Sequence, residues 1–188
     1  YISVHTRRGV VRVYGESRMK HLGVYHDRTG SMTYECSHRL DRARAARHEI
    51  APLTSSRNLD VESKRLLLTS KVFSRLFYSA GSWYLQAQKM VERISHEYMV
   101  CVRTSCNRKS HKIKHWSNED VLQHAGVPPP LIHLRVTRIK YLLRFLKHAP
   151  MALQLLVHFE FLTAKNEDSW LHTIENDLHW ARSVSHAF

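Results

Sequence analysis

The sequence predicts a mainly α fold in which a short N-terminal β-hairpin is followed by a bundle of helices. Only 6 Gly and 5 Pro occur among the 188 residues, which favours long regular elements over a turn-rich β sandwich. Hydrophobic residues make up 43% of the chain, so a packed core is expected rather than global disorder. Apolar residues also recur at helical spacing along most of the length.

The hairpin is predicted near the N-terminus. Residues 10–14 (VVRVY) alternate apolar and polar side chains, as a half-buried strand does. Gly15-Glu16-Ser17 can turn the chain, and residues 20–25 (KHLGVY) then supply the second strand. Gly23 inside that strand indicates a bulge or a close approach of the backbone to a partner.

A basic helix is predicted to follow. Ser31 is a suitable N-cap, and the helix should run to about Arg47 and end before Pro52. Its apolar side is formed by Met32, Cys36, Leu40, Ala43 and Ile50. Its remaining surface carries Arg39, Arg42, Arg44 and Arg47.

The central stretch, residues 64–103, is predicted to be a helical hairpin with its apolar faces turned inward. Leu68, Val72, Leu76 and Ala80 follow the i, i+4, i+8 spacing of one helix face. Asp60 is the expected cap of this helix, and Gly81 is expected to end it in a left-handed conformation. The pattern restarts with Met90, Val91, Ile94, Tyr98 and Val102.

Further helices are predicted towards the C-terminus. Ser117 opens a short helix that Gly126 ends, and Pro128-Pro129-Pro130 forms a rigid spacer. The next helix, residues 131–148, should turn Leu134, Ile139, Leu142, Phe145 and Leu146 inward and Arg135, Arg138, Arg144 and Lys147 outward. Helices from Met151 to about Phe161 and around Trp170, Ile174, Trp180 and Val184 complete the chain. Three regions are therefore expected: 1–30, 31–126 and 127–188.

The charge of the chain is its most informative total. Lys and Arg number 29 against 16 Asp and Glu, which gives a formal charge of +13 and a pI near 10.0. Such an excess is either a solvated basic surface or a surface for a polyanion, most often nucleic acid, whose binding releases counterions from phosphates.

The cysteine count and hydropathy indicate an intracellular location, nuclear or cytoplasmic, without a membrane partner. Cys36, Cys101 and Cys106 are an odd set that cannot form a closed disulfide framework. No run approaches the ~18–20 apolar residues of a membrane span. Residue 1 is Tyr and no signal-peptide pattern follows, so the chain is expected to begin within a longer protein or to have been trimmed.

Several blocks together resemble the reverse transcriptases of non-LTR (LINE-type) retrotransposons. KHLGVY followed by DRTGSM, and a helix with spaced Glu35, Arg39 and Ala43, resemble the end of the palm. LLLTSKVFSRLFYSAGSW resembles the first thumb helix, and HEYMVCVR, SNEDVLQHAGVPP and LRVTRIKYLLRFLKHAP resemble later helical blocks. The likeness covers roughly residues 4–185 through the order and spacing of these blocks.

The resemblance implies a thumb that holds a template–primer duplex beside missing N-terminal fingers and palm. Polymerase chemistry in that family depends on paired carboxylates that hold two metal ions, Mg²⁺ in the parent enzyme. No Asp-Asp pair occurs in this sequence, so this chain alone is expected to be inactive and to carry no catalytic residue or cofactor. The primer-grip candidates by resemblance are Lys20, His21 and Gly23.

The basic helix faces supply the other candidates for nucleic-acid binding, through phosphates rather than bases. These are Arg39, Arg42, Arg44, Arg47, Arg135, Arg138, Lys140 and Arg144. Trp116, inside a basic connector, is a candidate for stacking on a base. Cys101, Cys106, His111 and His115 offer four ligands of the two residue types that zinc prefers, but Cys101 also fits the helix as a small core residue.

Two other functions remain open from the sequence. The chain could be a free-standing basic helical module that binds nucleic acid without a polymerase, or an inactive, decayed copy of a retroelement.

Overall fold

The structure is a computed structural model that describes residues 2–6, 9–13, 17–84, 88–106, 115–163 and 169–185. It confirms the predicted fold class, because short antiparallel hairpins at the N-terminus are followed by helices along the rest of the described chain. Within that part, none of the helices has both the length and the apolar character that crossing a membrane requires.

The N-terminal strands form two hairpins instead of one. Strand β1 (Ile2–Thr6) pairs with β2 (Gly9–Val13), and β3 (Arg18–His21) pairs with β4 (Val24–Asp27). The predicted pairing of residues 10–14 with 20–25 is therefore wrong; part of the turn proposed for it, residues 15 and 16, lies outside the described residues.

Gly23 is a turn residue and not a bulge. Leu22 and Gly23 have φ angles of 46° and 82°. Two successive residues with positive φ are the signature of a type I′ turn, whose twist matches that of the two strands it joins. The sequence does not predict this turn, because a type I′ turn normally has Asn, Asp or Gly at the position that Leu22 occupies.

Helix α1 (Thr33–Thr54) is longer than predicted at its C-terminal end. Met32 occupies the N-cap position without a side-chain hydrogen bond, while the hydroxyl of Ser31 bonds to that of Thr33. Ser31 therefore lies one residue before the cap position, but its hydroxyl accepts the backbone N–H of Thr33 at 3.3 Å and so satisfies one N–H of the first turn, as predicted. Pro52 lies in the last turn of the helix, which ends at Thr54. The predicted end before Pro52 is therefore wrong.

The central helix begins where predicted. The Oδ1 atom of Asp60 accepts the backbone N–H of Ser63 at 2.7 Å, so Asp60 is the cap of α2 (Val61–Leu67). The helix continues through a π-helical segment (Leu68–Phe73) into α3 (Ser74–Leu76). It ends at Leu76, and the residue with the left-handed conformation is Ser79, with a φ of 60°.

Gly81 therefore has a different role from the predicted helix stop. It is buried in a 3₁₀ turn (Ala80–Ser82), and a Cβ atom at this position would lie 2.4 Å from the Cβ of Tyr141. Its carbonyl oxygen accepts the indole N–H of Trp170 at 2.8 Å. The absence of a side chain lets a later helix, and the tryptophan that follows it, pack directly on the turn.

The next helices agree with the sequence more closely. Helix α4 (Gln88–Ser105) buries Met90, Ile94, Tyr98 and Val102. Helix α5 (Asn118–Ala125) has a capping box between Ser117 and Asp120 and ends at Gly126, whose φ is 63°. Both ends of α5 are therefore confirmed, because capping side chains and a left-handed glycine act locally.

Three helices follow: α6 (Pro130–His148), α7 (Met151–Thr163) and α8 (Trp170–Ser185). The core packs α1, the π segment, α4 and α6 around Trp83, Tyr98 and Leu134, all with no exposed surface. Leu146, predicted to be inward, is 45% exposed. Helix α7 leaves several large apolar side chains exposed, among them Met151 and Leu162.

The close approach at Gly81 generates a stability prediction. Gly81→Ala should lower the free energy of unfolding by about 1–3 kcal/mol, because the added methyl group must displace Tyr141 from a packed position. Urea unfolding measures this loss. Gly81→Asn should be at least as destabilising, whereas Asn at Gly126, where φ is positive, should cost less. If Asn were tolerated better at position 81 than at position 126, the packing role of Gly81 would be wrong.

Candidate nucleic-acid interface

A buried ion pair at the start of α1 fixes the second hairpin on the helix. The carboxylate of Glu35 accepts the Arg39 Nε–H at 2.6 Å and the backbone N–H of Tyr25 at 2.8 Å. The same Arg39 donates to the carbonyl oxygen of Gly23, and its guanidinium lies 4.5 Å from the centre of the Tyr78 ring. Arg39 is only 7% exposed, so this candidate for phosphate binding is committed to holding the hairpin.

Tyr78 completes the attachment of the turn. Its hydroxyl donates to the carbonyl oxygen of Leu22 at 3.0 Å, and a Cβ on Gly23 would lie 3.5 Å from that hydroxyl. Gly23 thus faces a tyrosine of this chain. The group that the backbone of Gly23 approaches in this structure is therefore Tyr78 of the same chain, whereas the family resemblance implies a primer end.

A second buried carboxylate holds two more of the predicted arginines. Glu97, on α4, lies 2.8 Å from Arg44 Nε and 3.4 Å from Arg47 Nε. Arg44 also contacts Asp41 at 3.2 Å. The hydrogen bond to Glu97 raises the pKa of the Arg44 guanidinium. Arg44 and Arg47 therefore join α1 to α4, and neither presents an unpaired charge to a ligand.

A third carboxylate does the same between α6 and α8. Arg138 makes two hydrogen bonds to Asp177, at 2.6 Å and 3.0 Å, and Arg135 lies 3.6 Å from the same carboxylate. Arg135 also lies 5.0 Å from the centre of the Trp180 ring. The predicted outward position of Arg138 is wrong, because α8 covers that face of α6 and leaves the residue 4% exposed.

The other candidates have exposed charges. Lys20, His21, Arg42, Lys140 and Arg144 are exposed and form no ion pair with the described residues. Lys20 Nζ lies 5.6 Å from the centre of the Tyr25 ring, which holds the ammonium over the hairpin. His21 lies at the end of β3, with its ring centre 6.5 Å from that of His26.

Lys20 and Arg42 lie along the same side of α1, which also carries the exposed carboxylate of Glu49. The pKa of the His38 imidazole is lowered, first by burial and then by the charges of Arg39, Arg42 and Lys20. The pKa of Glu49 is lowered by the hydrogen bond and charge of Arg75 and by the charges of Lys71 and Arg42. Arg42 acts on both groups, so these side chains lie along one side of α1. We call them the hairpin–α1 surface: Lys20, His38, Arg42, Lys71 and Arg75.

Lys71 and Arg75 were not singled out from the sequence. They lie between the apolar residues of the central helix, four residues apart, and only the packing of that helix against α1 brings them beside Arg42. Arg75 is paired with Glu49 at 2.9 Å, whereas Lys20, Arg42 and Lys71 have no carboxylate partner in the described chain. The signal in the sequence is their spacing of four residues, which places both on one flank of the apolar stripe formed by Leu68, Val72 and Leu76.

A smaller basic group lies elsewhere on the molecule. Lys140 and Arg144 line a cavity of about 310 Å³ between α6 and the segment 77–81, together with Phe77 and Tyr141. Lys140 is also close enough to lower the pKa of His133, for which burial is the larger cause. These two cations are the part of the predicted α6 set that stays unpaired, because Arg135 and Arg138 bind Asp177.

The cysteines and tryptophans take structural positions in the described chain. Cys101 and Cys106 are buried thiols, and burial raises the pKa of Cys101 to about 12. His115 is exposed and His111 lies outside the described residues. No group of three or more His, Cys, Asp or Glu in that part of the chain is arranged to hold a metal ion. Trp116 contacts the His124 ring edge-on, with ring centres 5.2 Å apart.

The fold and this surface define a mainly helical, strongly basic protein in which three of the exposed cations, Lys20, Arg42 and Lys71, lie along one side of α1. No protein-family model matches the chain, no curated protein has a significantly similar sequence, and no solved structure is significantly similar to it.

The buried pair of Arg138 and Asp177 generates a second stability prediction. Arg138→Leu should lower the free energy of unfolding by about 3 kcal/mol, because Asp177 then stays buried with only the more distant Arg135. The double change Arg138→Leu with Asp177→Leu should recover most of this loss. Arg144→Leu, at an exposed position, is the control and should change stability by less than about 0.5 kcal/mol. Urea unfolding of the four proteins would contradict the assignment if the double variant were no more stable than the single one.

Proposed function

We propose that this chain binds the sugar-phosphate backbone of a nucleic-acid duplex through the hairpin–α1 surface. The observation that carries the proposal is the set of three exposed, unpaired cations, Lys20, Arg42 and Lys71, on one side of α1. Charges of this kind would each neutralise a phosphate and release its counterions, which is the main source of affinity for nucleic acids that does not depend on base sequence.

The hairpin–α1 surface suits phosphates better than bases. Its cations are carried on long side chains, and they belong to separate elements: β3, α1 and the π segment. Cations distributed along a surface contact a backbone at several phosphates, whereas reading of bases needs side chains inserted into a groove. Binding should therefore be nearly independent of sequence and strongly dependent on salt.

The family resemblance extends this proposal to a role. We infer that the chain holds the template–primer duplex of a reverse transcriptase, while fingers and palm in another part of the polypeptide, with Mg²⁺, perform the chemistry. The primer-grip resemblance of residues 20–25 and the position of Lys20 beside Arg42 support this role together. A free-standing nucleic-acid-binding module uses the same surface without a preference for a primer end, and a decayed copy has lost binding.

A charge-reversal pair tests the surface. Arg42→Glu with Lys71→Glu should weaken binding to an RNA–DNA hybrid by more than about tenfold and reduce the slope of log affinity against log salt by about two. The control, Lys147→Glu with Arg182→Glu, changes the net charge equally at exposed positions outside the surface. Fluorescence anisotropy across a salt series measures both. Equal losses in the two variants would mean that only net charge matters and would remove the proposed surface.

The position of the bound protein tests the role in a polymerase. On a hybrid with a recessed primer, hydroxyl-radical footprinting should show protection of the duplex adjoining the primer 3′ end, because a thumb holds that end. Arg42→Glu with Lys71→Glu should remove this protection. Even protection along the whole hybrid would favour the free-standing module, and absence of protection at low salt would favour the decayed copy.

A further inference from the structure

A cavity of about 370 Å³ lies on a part of the molecule that the proposed duplex surface does not use. It is formed by the segment before α2, the first turns of α2, the end of α4 and the end of α5. Its polar and charged lining consists of Arg57, Asp60, Lys64, Arg65, Ser105 and His124. None of these residues belongs to the hairpin–α1 surface.

Lys64 is the unusual member of this lining. It is only 7% exposed, yet its ammonium group has neither a hydrogen-bond acceptor nor a carboxylate within ion-pair distance among the described residues. The charge of Lys64 acts to lower the pKa of the Cys106 thiol, which lines the same cavity. The Nζ atom of Lys64 is not among the fully buried polar atoms that lack a partner, so the enclosed part of the residue is chiefly its apolar stem, and the ammonium group keeps contact with solvent.

The partners that the chain offers are already engaged or too few. Asp60 uses Oδ1 to cap α2 through Ser63, and Ser105 donates its hydroxyl proton to the carbonyl oxygen of Val102. Arg65 is paired with Glu62 at 3.1 Å, and the Glu62 side chain is 81% exposed. The two positive charges of Arg57 and Lys64 therefore exceed the single negative charge of Asp60, so the cavity has an excess of positive charge.

Burial also keeps the one thiol of the cavity from supplying a negative charge. The pKa of Cys106 is raised, chiefly by burial, and the charges of Lys64 and Arg103 only partly oppose this. At neutral pH the thiol is protonated and offers a weak donor. The described part of the chain therefore offers Lys64 no carboxylate within ion-pair distance, and an anion that enters the cavity would supply a counter-ion.

We propose that this cavity binds a small molecule that carries a phosphate group, with Lys64 as the central contact and Arg57 at the rim. A volume of about 370 Å³ is at the lower end of the range for small-molecule sites, and it is too small to enclose a duplex. Phosphate supplies several strong acceptor oxygens, which match an ammonium with three donors and a guanidinium with five.

Lys64→Met tests the assignment, because methionine keeps the length and apolar stem of lysine and removes the charge. Isothermal titration calorimetry with inorganic phosphate, and separately with glycerol 3-phosphate, should give a dissociation constant in the millimolar range or below for the wild-type protein. Lys64→Met should weaken binding at least about tenfold, as loss of a charge-assisted hydrogen bond does. Tighter binding of glycerol 3-phosphate than of inorganic phosphate identifies an organic phosphate as the ligand, and the reverse order identifies the free ion.

Three controls make the test specific. Lys147→Met removes an exposed lysine that belongs neither to this cavity nor to the hairpin–α1 surface, and it should leave phosphate binding unchanged. Potassium chloride at matched ionic strength should not compete. Arg57→Gln, at an exposed position, provides a second variant if Lys64→Met does not fold, and it should weaken phosphate binding severalfold.

The result that overturns the inference is equal phosphate binding by the wild-type protein and both cavity variants, or no heat of binding in the wild-type protein at millimolar phosphate. The inference is independent of the proposed duplex binding. Lys64→Met should leave affinity for the RNA–DNA hybrid unchanged, and a loss as large as that of Arg42→Glu with Lys71→Glu would assign the cavity to the duplex interface instead.

Discussion

The buried pair of Glu35 and Arg39 is the interaction on which the candidate interface depends. One carboxylate binds the backbone of β4, and one guanidinium reaches the turn between β3 and β4 and the ring of Tyr78. A two-stranded hairpin is at best marginally stable by itself, so its position relative to α1 needs such contacts. Without the pair, the hairpin would no longer be fixed on α1. Lys20 would then have no defined position relative to Arg42, and the two charges could not bind one ligand together.

Glu97 and Asp177 repeat this arrangement at two other joints of the fold, where they bind Arg44 with Arg47 and Arg138 with Arg135. Buried ion pairs contribute little net stability, because desolvation offsets the attraction, but breaking one partner leaves a costly unpaired charge. Their effect here is geometric: each joins one helix to a particular neighbour. They also divide the predicted arginines into those paired with a carboxylate and those left unpaired, and only the unpaired ones remain for phosphates.

The candidate site could be predicted from the sequence only in part. Lys20 and Arg42 were identified and are exposed, whereas Arg39 and Arg138 were identified and are buried in ion pairs. An arginine beside an apolar stripe has the same sequence pattern in both cases. Whether the arginine is buried in an ion pair or exposed depends on whether a carboxylate from another element lies beside it. For Arg138 that carboxylate is Asp177, which is 39 residues away in the chain. Lys71 and Lys64 were missed for the same reason, since their surroundings come from distant segments.

The sequence by itself determined the class of the fold, most helix positions and the local signals at Asp60, Ser117 and Gly126, because periodicity and capping act over a few residues. It also determined the large positive charge that any anionic partner would meet. Only the tertiary structure decided the two-hairpin arrangement, the packing role of Gly81 and the pairing of each arginine. These depend on which distant backbone or side chain comes within a few ångströms, and that information is not contained in the spacing of residues along one element.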